Sequence, residues 1–293
     1  MEILDFNKKI TQKENLAVHC SMRVGGVCDY YYEPNTLEEF LYIVKFCNKN
    51  KLNYFILGNG TNTIFTDKGF RGLVICTKNL IKITIKKNIV CMDCGVNLFV
   101  LGKKLIQNNL SGLEWCYGIP GTIGGAVCMN AGAYGGQMKD VVLKAKIFDG
   151  KKVRDLYINE LKMSYRDSIV KQKGWIVLKV WLKLRTGEQN LIEQKCKEYL
   201  ANRYISQPLG SFNSGSIFKT TNNIIAGKII DNLGLKGVTI NGAQISELHA
   251  NFIVNKNNAK CEDILALIEL IQGQVEMFTG TRLDQEVLII GER

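Results

Sequence analysis

The segment GIPGTIGGAVCMNAGAYGG, residues 118–136, decides the fold of this 293-residue chain. It contains seven glycines, and Pro120 fixes one of its turns. Glycine lets a backbone bend tightly enough to aim several amides at one anion, whereas a plain structural turn needs only about two or three such residues. The segment therefore predicts a loop that binds the diphosphate of a dinucleotide.

A weaker glycine loop, LGNGTNTIF, occupies residues 57–65 and directly follows an apolar stretch, Tyr54–Leu57. Neither loop has the GxGxxG or the GxxxxGK[ST] spacing, so a Rossmann or P-loop site is disfavoured. In the first loop, side chains are expected to add hydrogen bonds to those of the backbone. The residues predicted to bind the cofactor are Gly58, Asn59, Gly60, Thr61, Asn62, Gly118, Pro120, Gly121, Thr122, Gly124, Gly125 and Ala126.

Composition excludes several classes of protein. Hydrophobic residues make up 46% and charged residues 22% of the chain, which is typical of a globular enzyme and not of a disordered protein. The formal charge of +11 favours anionic partners. Because the lysines occur singly or in pairs, without a basic tract, small anions such as dinucleotides fit this charge as well as nucleic acid does.

The compartment can be inferred from the N-terminus, the longest uncharged run and the cysteines. The first residues lack a secretory signal, and the uncharged run 115–138 has too many glycines for a lipid-facing helix. Ten scattered cysteines are then expected to be reduced. Cys91 and Cys94 form a CxxC in a β-like run, and with no second CxxC nearby we interpret them as core residues and not as a metal or redox site.

Periodicity predicts a mixed order of strands and helices. Thr36 and Glu39 form a capping box that opens a helix, and residues 176–184 alternate as a strand with unlike faces. The other predicted helices cover residues 98–108, 191–204, 224–233 and 261–278, and the other predicted strands cover residues 54–57, 72–76, 81–94, 141–148, 251–254 and 286–290. This pattern predicts an α+β protein with three domains, at residues 1–77, 78–187 and 188–293.

The motifs resemble, in order, those of the UDP-N-acetylenolpyruvoylglucosamine reductase family, also called UDP-N-acetylmuramate dehydrogenases. The matching segments are RVGG, LGNGTNTIF, GFRGLVI, GIPGTIGGAVCMNAGAYG, SYRDS, NSGSIFK, AGKIIDNLGLKG, ISELHANFIVN and EVLIIGE. They run from about residue 19 to the C-terminus. The resemblance implies an FAD-binding fold of the vanillyl-alcohol oxidase type in domains one and two, and a C-terminal α+β domain that binds the UDP-sugar.

Details of the resemblance set its limits. The spacing from Trp181 to Tyr204 leaves no room for the tyrosine-bearing insertion of the family's longer form, so the chain resembles the shorter form. Cys20 stands where the family favours a hydroxyl residue, Asn59 replaces a frequent glycine, and Thr220-Thr221 occupies a position where Asn-Pro is common. These departures affect individual contacts and leave the catalytic motifs intact.

The resemblance also implies the reaction. Family members use NADPH and FAD to reduce UDP-N-acetylglucosamine enolpyruvate to UDP-N-acetylmuramate, an oxidoreductase reaction on a CH–CH bond in peptidoglycan synthesis, and so serve cell-wall biogenesis, cell shape and cell division. NADPH and substrate are expected to use one pocket in turn, which predicts ping-pong kinetics. We further expect a cytoplasmic monomer whose partners are substrate and NADPH, with no nucleic acid, membrane or metal.

Three residues match the family's catalytic positions. Arg166 in SYRDS would stabilise the developing enediolate, Ser216 in NSGSIFK would donate a proton to carbon, and Glu286 in EVLIIG would assist Arg166. Each also has a plain structural interpretation: an ion pair with Asp167, a helix N-cap, and a charged residue that opens the last strand, respectively.

Two other functions stay open from sequence. An FAD-dependent alcohol or aldehyde oxidase would share the cofactor fold, and a flavin-free nucleotide- or RNA-binding protein would explain the charge of +11. His19 and His249, the only histidines, are interpreted as structural. Tyr204, Gln207 and Lys219 lie near family motifs without a catalytic assignment.

Overall fold

The computed structural model describes residues 10–292. The chain forms two compact units, each assembled from separate stretches of sequence. Of the described residues, the first unit contains 10–31, Gly60–Val74 and 203–292. The second unit contains Tyr32–Asn59 and Ile75–Asn202.

Strands make up most of the elements in the described chain. The strands are β1 (Thr11–Asn15), β2 (Val27–Tyr32), β3 (Tyr54–Leu57), β4 (Thr63–Phe65), β5 (Phe70–Cys76), β6 (Ile83–Lys86), β7 (Ile89–Asp93), β8 (Leu110–Ser111), β9 (Gly132–Ala133), β10 (Gly136–Gln137), β11 (Val142–Phe148), β12 (Val153–Tyr157), β13 (Ile176–Lys183), β14 (Arg185–Thr186), β15 (Phe212–Ser216), β16 (Thr239–Ile240), β17 (Ala243–Ile245), β18 (Phe252–Asn255) and β19 (Leu288–Ile290).

The helices of the structure include those predicted at residues 98–108, 191–204, 224–233 and 261–278, to within two residues at each end, and two short ones that the periodicity did not predict, at Ile123–Cys128 and Ile169–Gln172. The helices are α1 (Leu37–Lys49), α2 (Leu98–Gln107), α3 (Ile123–Cys128), α4 (Ile169–Gln172), α5 (Gln189–Ser206), α6 (Ala226–Asn232) and α7 (Cys261–Thr279), with 3-10 turns at Leu16–His19, Glu114–Cys116 and Met138–Asp140. The predicted α+β class is confirmed. No helix within residues 10–292 is long and apolar enough to cross a membrane.

The second unit is built on a five-stranded antiparallel sheet in the order β12-β11-β13-β7-β6. The predicted alternation along β13 holds only in its second half, because Ile176, Val177 and Leu178 are all buried. This strand lies between β11 and β7, and helix α3 packs against it. Because the strand is central and covered in this way, both of its faces are buried at one end, and apolar residues there do not alternate with polar ones.

Helix α1 of the second unit begins as its sequence predicts, with one change. Thr36 caps the helix by accepting from the Glu39 amide at 3.1 Å. The Glu39 carboxylate reaches back to the amide of Asn35 at 2.8 Å, one residue before the predicted partner, and also accepts from the Tyr32 hydroxyl at 3.2 Å. Phe40, Ile43, Val44 and Cys47 form the buried face of the helix.

The first unit has a four-stranded antiparallel sheet in the order β15-β18-β17-β16. Helix α7 packs on β16 and β17 through a stripe of buried residues at helical spacing: Ile264, Leu267, Ile268, Ile271 and Val275. The last strand, β19, pairs in parallel with β4. It begins at Leu288, so the prediction that Glu286 opens it is wrong by two residues.

Candidate active site

The first glycine loop begins in the second unit, where strand β3 ends. The Asn59 side-chain amide donates to the Pro120 carbonyl at 3.0 Å. A Cβ atom added to Gly58 would lie 2.6 Å from the Thr122 hydroxyl oxygen, which is closer than real contacts allow. Gly58 is thus required because the beginning of the first loop lies directly against the second loop.

Within the second loop, Thr122 caps the short helix α3. Its hydroxyl accepts from the Gly125 amide at 3.4 Å, and its carbonyl accepts from the Ala126 amide at 2.9 Å. The Gly124 amide donates to the Cys94 carbonyl at 2.8 Å, and a Cβ atom at Gly124 would lie 2.8 Å from the Cys94 Cβ. The amides of Gly124 and Gly125 therefore both have protein acceptors, and the contact of these two residues with a cofactor stays a prediction.

Other amides of the second loop remain available. Among the described residues, the backbone nitrogens of Gly118, Gly121 and Thr122 donate to no protein group. The Gly121 carbonyl accepts from the Leu98 amide at 3.0 Å, which fixes the turn against the start of helix α2. An array of unpaired amides on a rigid turn suits an anionic ligand such as a diphosphate.

The rest of the first loop, residues 60–62, belongs to the first unit. Gly60 has φ +63°, and a Cβ atom there would lie 2.2 Å from the His19 carbonyl oxygen. In the part of the chain that the structure describes, the amides of Thr61 and Asn62 have no protein acceptor. The Asn62 side-chain amide donates to the Glu286 carbonyl at 3.2 Å. This part of the loop thus has unpaired amides and a direct hydrogen bond to the backbone of a predicted catalytic residue.

Ser216 is the last residue of β15 and stands opposite Phe252 of β18. Its competing interpretation as a helix cap is wrong, because Ser216 ends a strand. Gly215 before it has φ +74° and donates its amide to the Asn213 side chain at 2.9 Å, at a point where the ladder is irregular. Within residues 10–292 the Ser216 hydroxyl has no protein hydrogen-bond partner. It is available to a ligand.

Glu286 lies beside the Ser216 segment in the same unit. Its amide donates to the carbonyl of Ile217, the residue after Ser216, at 2.7 Å. The first unit therefore brings together two of the three predicted catalytic residues.

Arg166 lies in the second unit, in the segment SYRDS, and its side chain contacts the glycine-rich segment. Its Nη2 atom donates to the Gly132 carbonyl at 3.0 Å, and its guanidinium stacks over the Tyr165 ring at 5.2 Å. Its φ of +55° is strained for a residue with a side chain, and such strain is common at functional sites. Asp167, the predicted partner, accepts from the Ser168 amide at 2.9 Å and from the Gln172 side chain at 2.7 Å, next to the start of α4.

Both histidines make structural contacts. His19 Nε2 lies 2.8 Å from the Glu14 carboxylate, and its ring stacks on Tyr31 at 4.1 Å. His249 Nδ1 accepts from the Asn251 amide at 3.2 Å. Burial lowers the pKa of His249, an effect that Lys236 reinforces and that the His249 backbone and Asp231 oppose.

The cysteines give no sign of metal or redox chemistry. All ten are free thiols, and the described residues contain no cluster of metal-ligating side chains. Cys94 is buried, and burial raises its pKa to about 12, so it is a core thiol as predicted. Cys91 is partly exposed, and burial raises its pKa as well.

Sequence reasoning missed Ser21. Its amide and hydroxyl both donate to the Gly60 carbonyl, at 3.1 Å and 3.3 Å, and its hydroxyl lies 2.6 Å from the Asn213 carbonyl. Ser21 therefore ties the first glycine loop to the strand that carries Ser216. No local pattern marks this role, because Ser21 and Asn213 are 192 residues apart.

Comparison with known proteins agrees with this geometry. A family model described as "FAD binding domain" matches residues 28–152, and one described as "UDP-N-acetylenolpyruvoylglucosamine reductase, C-terminal domain" matches residues 207–290. These matches confirm the predicted FAD-binding fold with a C-terminal α+β domain.

Named relatives cover nearly the whole chain. UDP-N-acetylenolpyruvoylglucosamine reductase of Caldanaerobacter subterraneus is 39% identical over 97% of this chain and 95% of its own length. The enzyme of that name from Alkaliphilus oremlandii is 41% identical over 95% of this chain and 92% of its own. The crystal structure of the Thermus caldophilus reductase superposes with a TM-score of 0.82 at 31% identity, covering 96% of this chain and 98% of that one. The chain therefore belongs to the UDP-N-acetylenolpyruvoylglucosamine reductase family.

Proposed function

We propose that this chain uses NADPH and FAD to reduce UDP-N-acetylglucosamine enolpyruvate to UDP-N-acetylmuramate, a step of peptidoglycan precursor synthesis. The observation that carries the proposal is the Ser216 hydroxyl, which has no protein hydrogen-bond partner among the described residues and lies one residue from the carbonyl that accepts from the Glu286 amide. Relatives that bear this enzyme name share about 40% of their residues with this chain over most of its length. The oxidase and RNA-binding alternatives have no such support.

The loops fit the FAD that this reaction requires. Within residues 10–292 the amides of Gly121 and Thr122 in the second unit are unpaired and would meet the diphosphate, and Gly58 of the same unit lies against Thr122 without a side chain in between. The predicted contacts of Thr61 and Asn62 would come from the backbone of the first loop. When bound, FAD would carry hydride equivalents from NADPH to the enolpyruvyl group. The other residues of the two loops are also proposed to bind the cofactor. They are Asn59, Gly60, Gly118, Pro120, Gly124, Gly125 and Ala126.

Arg166 is proposed to stabilise charge on the substrate. Reduction of the terminal enolpyruvyl carbon leaves negative charge on the α-carbon, which delocalises into the adjacent carboxylate. A guanidinium fork matches the two oxygens of that group and binds them more tightly as their charge grows. The Gly132 carbonyl orients Arg166 for this role, and Glu286 is proposed to help it polarise the carboxyl group.

Ser216 is proposed to donate the proton that completes the reaction. Its O–H bond breaks as the new C–H bond forms at the α-carbon, and the resulting alkoxide regains a proton from solvent. A serine hydroxyl is a weak acid, but a carbanion is a strong enough base to accept its proton. Gly215 allows the sharp backbone path that presents the hydroxyl. The net reaction consumes one NADPH and one proton per enolpyruvyl group.

The cellular setting belongs to the same proposal. We infer a cytoplasmic monomer that binds substrate and NADPH in turn and uses neither nucleic acid nor a membrane. The ten free thiols favour a reducing compartment. We also propose the three-domain division at residues 1–77, 78–187 and 188–293, since the C-terminal family match at 207–290 falls within the last of these ranges.

Anaerobic turnover of the purified protein tests the function. We expect yellow protein whose flavin is bleached by NADPH and whose colour returns on addition of the enolpyruvyl sugar, with UDP-N-acetylmuramate identified by mass spectrometry. Parallel double-reciprocal lines are expected. Reoxidation by oxygen but not by the sugar would identify an oxidase, and colourless protein that retains RNA would contradict both flavin functions.

A further inference from the structure

Asn251 makes an unusual pair of hydrogen bonds next to the proposed proton donor. Its Oδ1 accepts from the Phe218 amide at 3.0 Å, and its Nδ2 donates to the Phe218 carbonyl at 2.8 Å. The side chain is only 7% exposed. One buried side chain therefore satisfies both backbone groups of a residue that lies two positions after Ser216.

The residues after Ser216 are held from two sides. On one side the Ile217 amide donates to the Asn251 carbonyl at 2.8 Å. On the other side the Ile217 carbonyl accepts from Glu286 at 2.7 Å, and the Lys219 amide donates to the Asp284 carbonyl at 2.9 Å. We call the two hydrogen bonds between the Asn251 side chain and the Phe218 backbone the Asn251 clamp. The segment 217–219 therefore links this clamp to the backbone of Glu286.

This clamp matters because the strand before it is irregular. The β15–β18 ladder shifts register between Asn213 and Ser216, and Gly215 has a positive φ that only glycine adopts easily. Regular pairing with β18 ends where Ser216 faces Phe252. The direction of the Ser216 hydroxyl is then fixed mainly by how firmly the chain is held just after it.

Removal of the Asn251 side chain would leave a buried N–H and a buried C=O of Phe218 without partners. A buried backbone group without a hydrogen-bond partner costs free energy, so the backbone would shift to find new partners. A shift of the segment moves Ser216 on one side of it and the Glu286 contact on the other. In proton transfer, a displacement of about 1 Å can cost roughly 100-fold in rate.

We propose that Asn251 is a positioning residue that keeps the Ser216 hydroxyl in register with Glu286, and so sets the rate of proton delivery to the substrate. The inference rests on the proposed function. Asn251 acts through the Phe218 backbone and does not touch the reacting atoms.

Stopped-flow measurement of the two half-reactions tests this role in the holoenzyme. In Asn251→Asp and Asn251→Ala, reduction of the flavin by NADPH should stay within about twofold of wild type, because it needs no proton from Ser216. Reoxidation by the enolpyruvyl sugar should slow by about 10- to 100-fold, with a larger solvent deuterium isotope effect. In a Ser216→Ala background, Asn251→Asp should add no further loss.

Asn255→Ala is the matched control. Asn255 is the last residue of β18, the strand that begins directly after Asn251. It is 8% exposed and also binds two backbone groups, donating to the Met22 carbonyl at 3.0 Å and accepting from the Ala259 amide at 2.9 Å. We expect this variant to lose stability while both half-reactions keep their wild-type rates.

Three outcomes would overturn the inference. They are equal slowing of both half-reactions in the Asn251 variants, selective slowing of reoxidation in Asn255→Ala, and loss of folded flavoprotein in both Asn251 variants. Failure of the proposed function is distinguishable, because wild type itself would then not be reoxidised by the sugar.

Discussion

The glycine-rich segment of the second unit and the Ser216 region of the first unit differ in how well local sequence predicts their roles. The glycines are conspicuous, yet several of them serve packing: Gly124 lies against Cys94, and a Cβ atom at Gly136 would lie 2.3 Å from the Trp115 ring. The Ser216 region has an ordinary composition, and its geometry comes from hydrogen bonds to Glu286 and Asn251. Glycine density therefore marks close backbone packing as much as it marks anion binding.

The same difference appears between the two glycine loops. The first loop has few glycines but offers unpaired amides at Thr61 and Asn62, whereas the glycine amides at Gly124 and Gly125 are bound within the protein. A count of glycines overestimates the amides that a ligand can reach. The loops and the Ser216 region thus perform separate tasks, which substitutions can separate.

A large loss of activity is expected at Arg166, which the Gly132 carbonyl of the glycine-rich segment orients. Arg166→Lys keeps the charge but loses the planar fork, so we expect kcat to fall about 100- to 1000-fold with FAD still bound. Steady-state kinetics and flavin absorbance provide the measurement. Arg185→Lys, at an exposed position on β14, serves as the control and should keep wild-type activity. Unchanged kcat in Arg166→Lys would remove this residue from the mechanism.

Adjacent glycines of helix α3 provide a smaller, sharper test of packing. In Gly124→Ala the new methyl group meets Cys94 Cβ at 2.8 Å, so we expect a loss of about 1–3 kcal/mol in the free energy of unfolding. In Gly125→Ala the nearest atom is the Thr122 hydroxyl oxygen at 3.5 Å, and we expect no loss. Urea denaturation measures both. Equal stability of the two variants would show that Gly124 is not a packing residue.

The smallest effect concerns pH and His249, next to the Asn251 clamp. Burial lowers the pKa of His249 in the folded state, whereas in the unfolded chain this pKa has its ordinary value of about 6.5. Below about pH 6.5 the unfolded chain therefore binds more protons than the folded protein does. Stability should therefore fall as pH drops below about 6.5. Protonation of Nδ1 would also break its bond from the Asn251 amide. Thermal melts at two pH values should show a smaller acid loss in His249→Gln, and an equal loss would contradict this account.

Local sequence predicted the longer helices, the longest strands of the five-stranded sheet and both loops because caps, periodicity and glycine content are local signals. It did not predict the short helices α3 and α4 or short strands such as β9, β10 and β14. It misplaced Glu286, which lies before β19, and offered Ser216 as a possible helix cap although it ends a strand. It missed Ser21 and the Asn251 clamp, whose partners lie 192 and 33 residues away. Such roles depend on strand pairing across the fold, which no single segment encodes.

The central claim is that chemistry in this protein depends on Ser216 while cofactor binding depends on the glycine loops. Anaerobic reoxidation of NADPH-reduced Ser216→Ala by the enolpyruvyl sugar tests it most directly, with Ser214→Ala as the control, since the buried Ser214 hydroxyl donates to the Thr63 carbonyl at 3.4 Å. We expect Ser216→Ala to bind FAD and to accept hydride from NADPH normally. Its reoxidation by the sugar should be about 100- to 10,000-fold slower than that of wild type, whereas Ser214→Ala should reoxidise at close to the wild-type rate. Reoxidation of Ser216→Ala at the wild-type rate would contradict the claim.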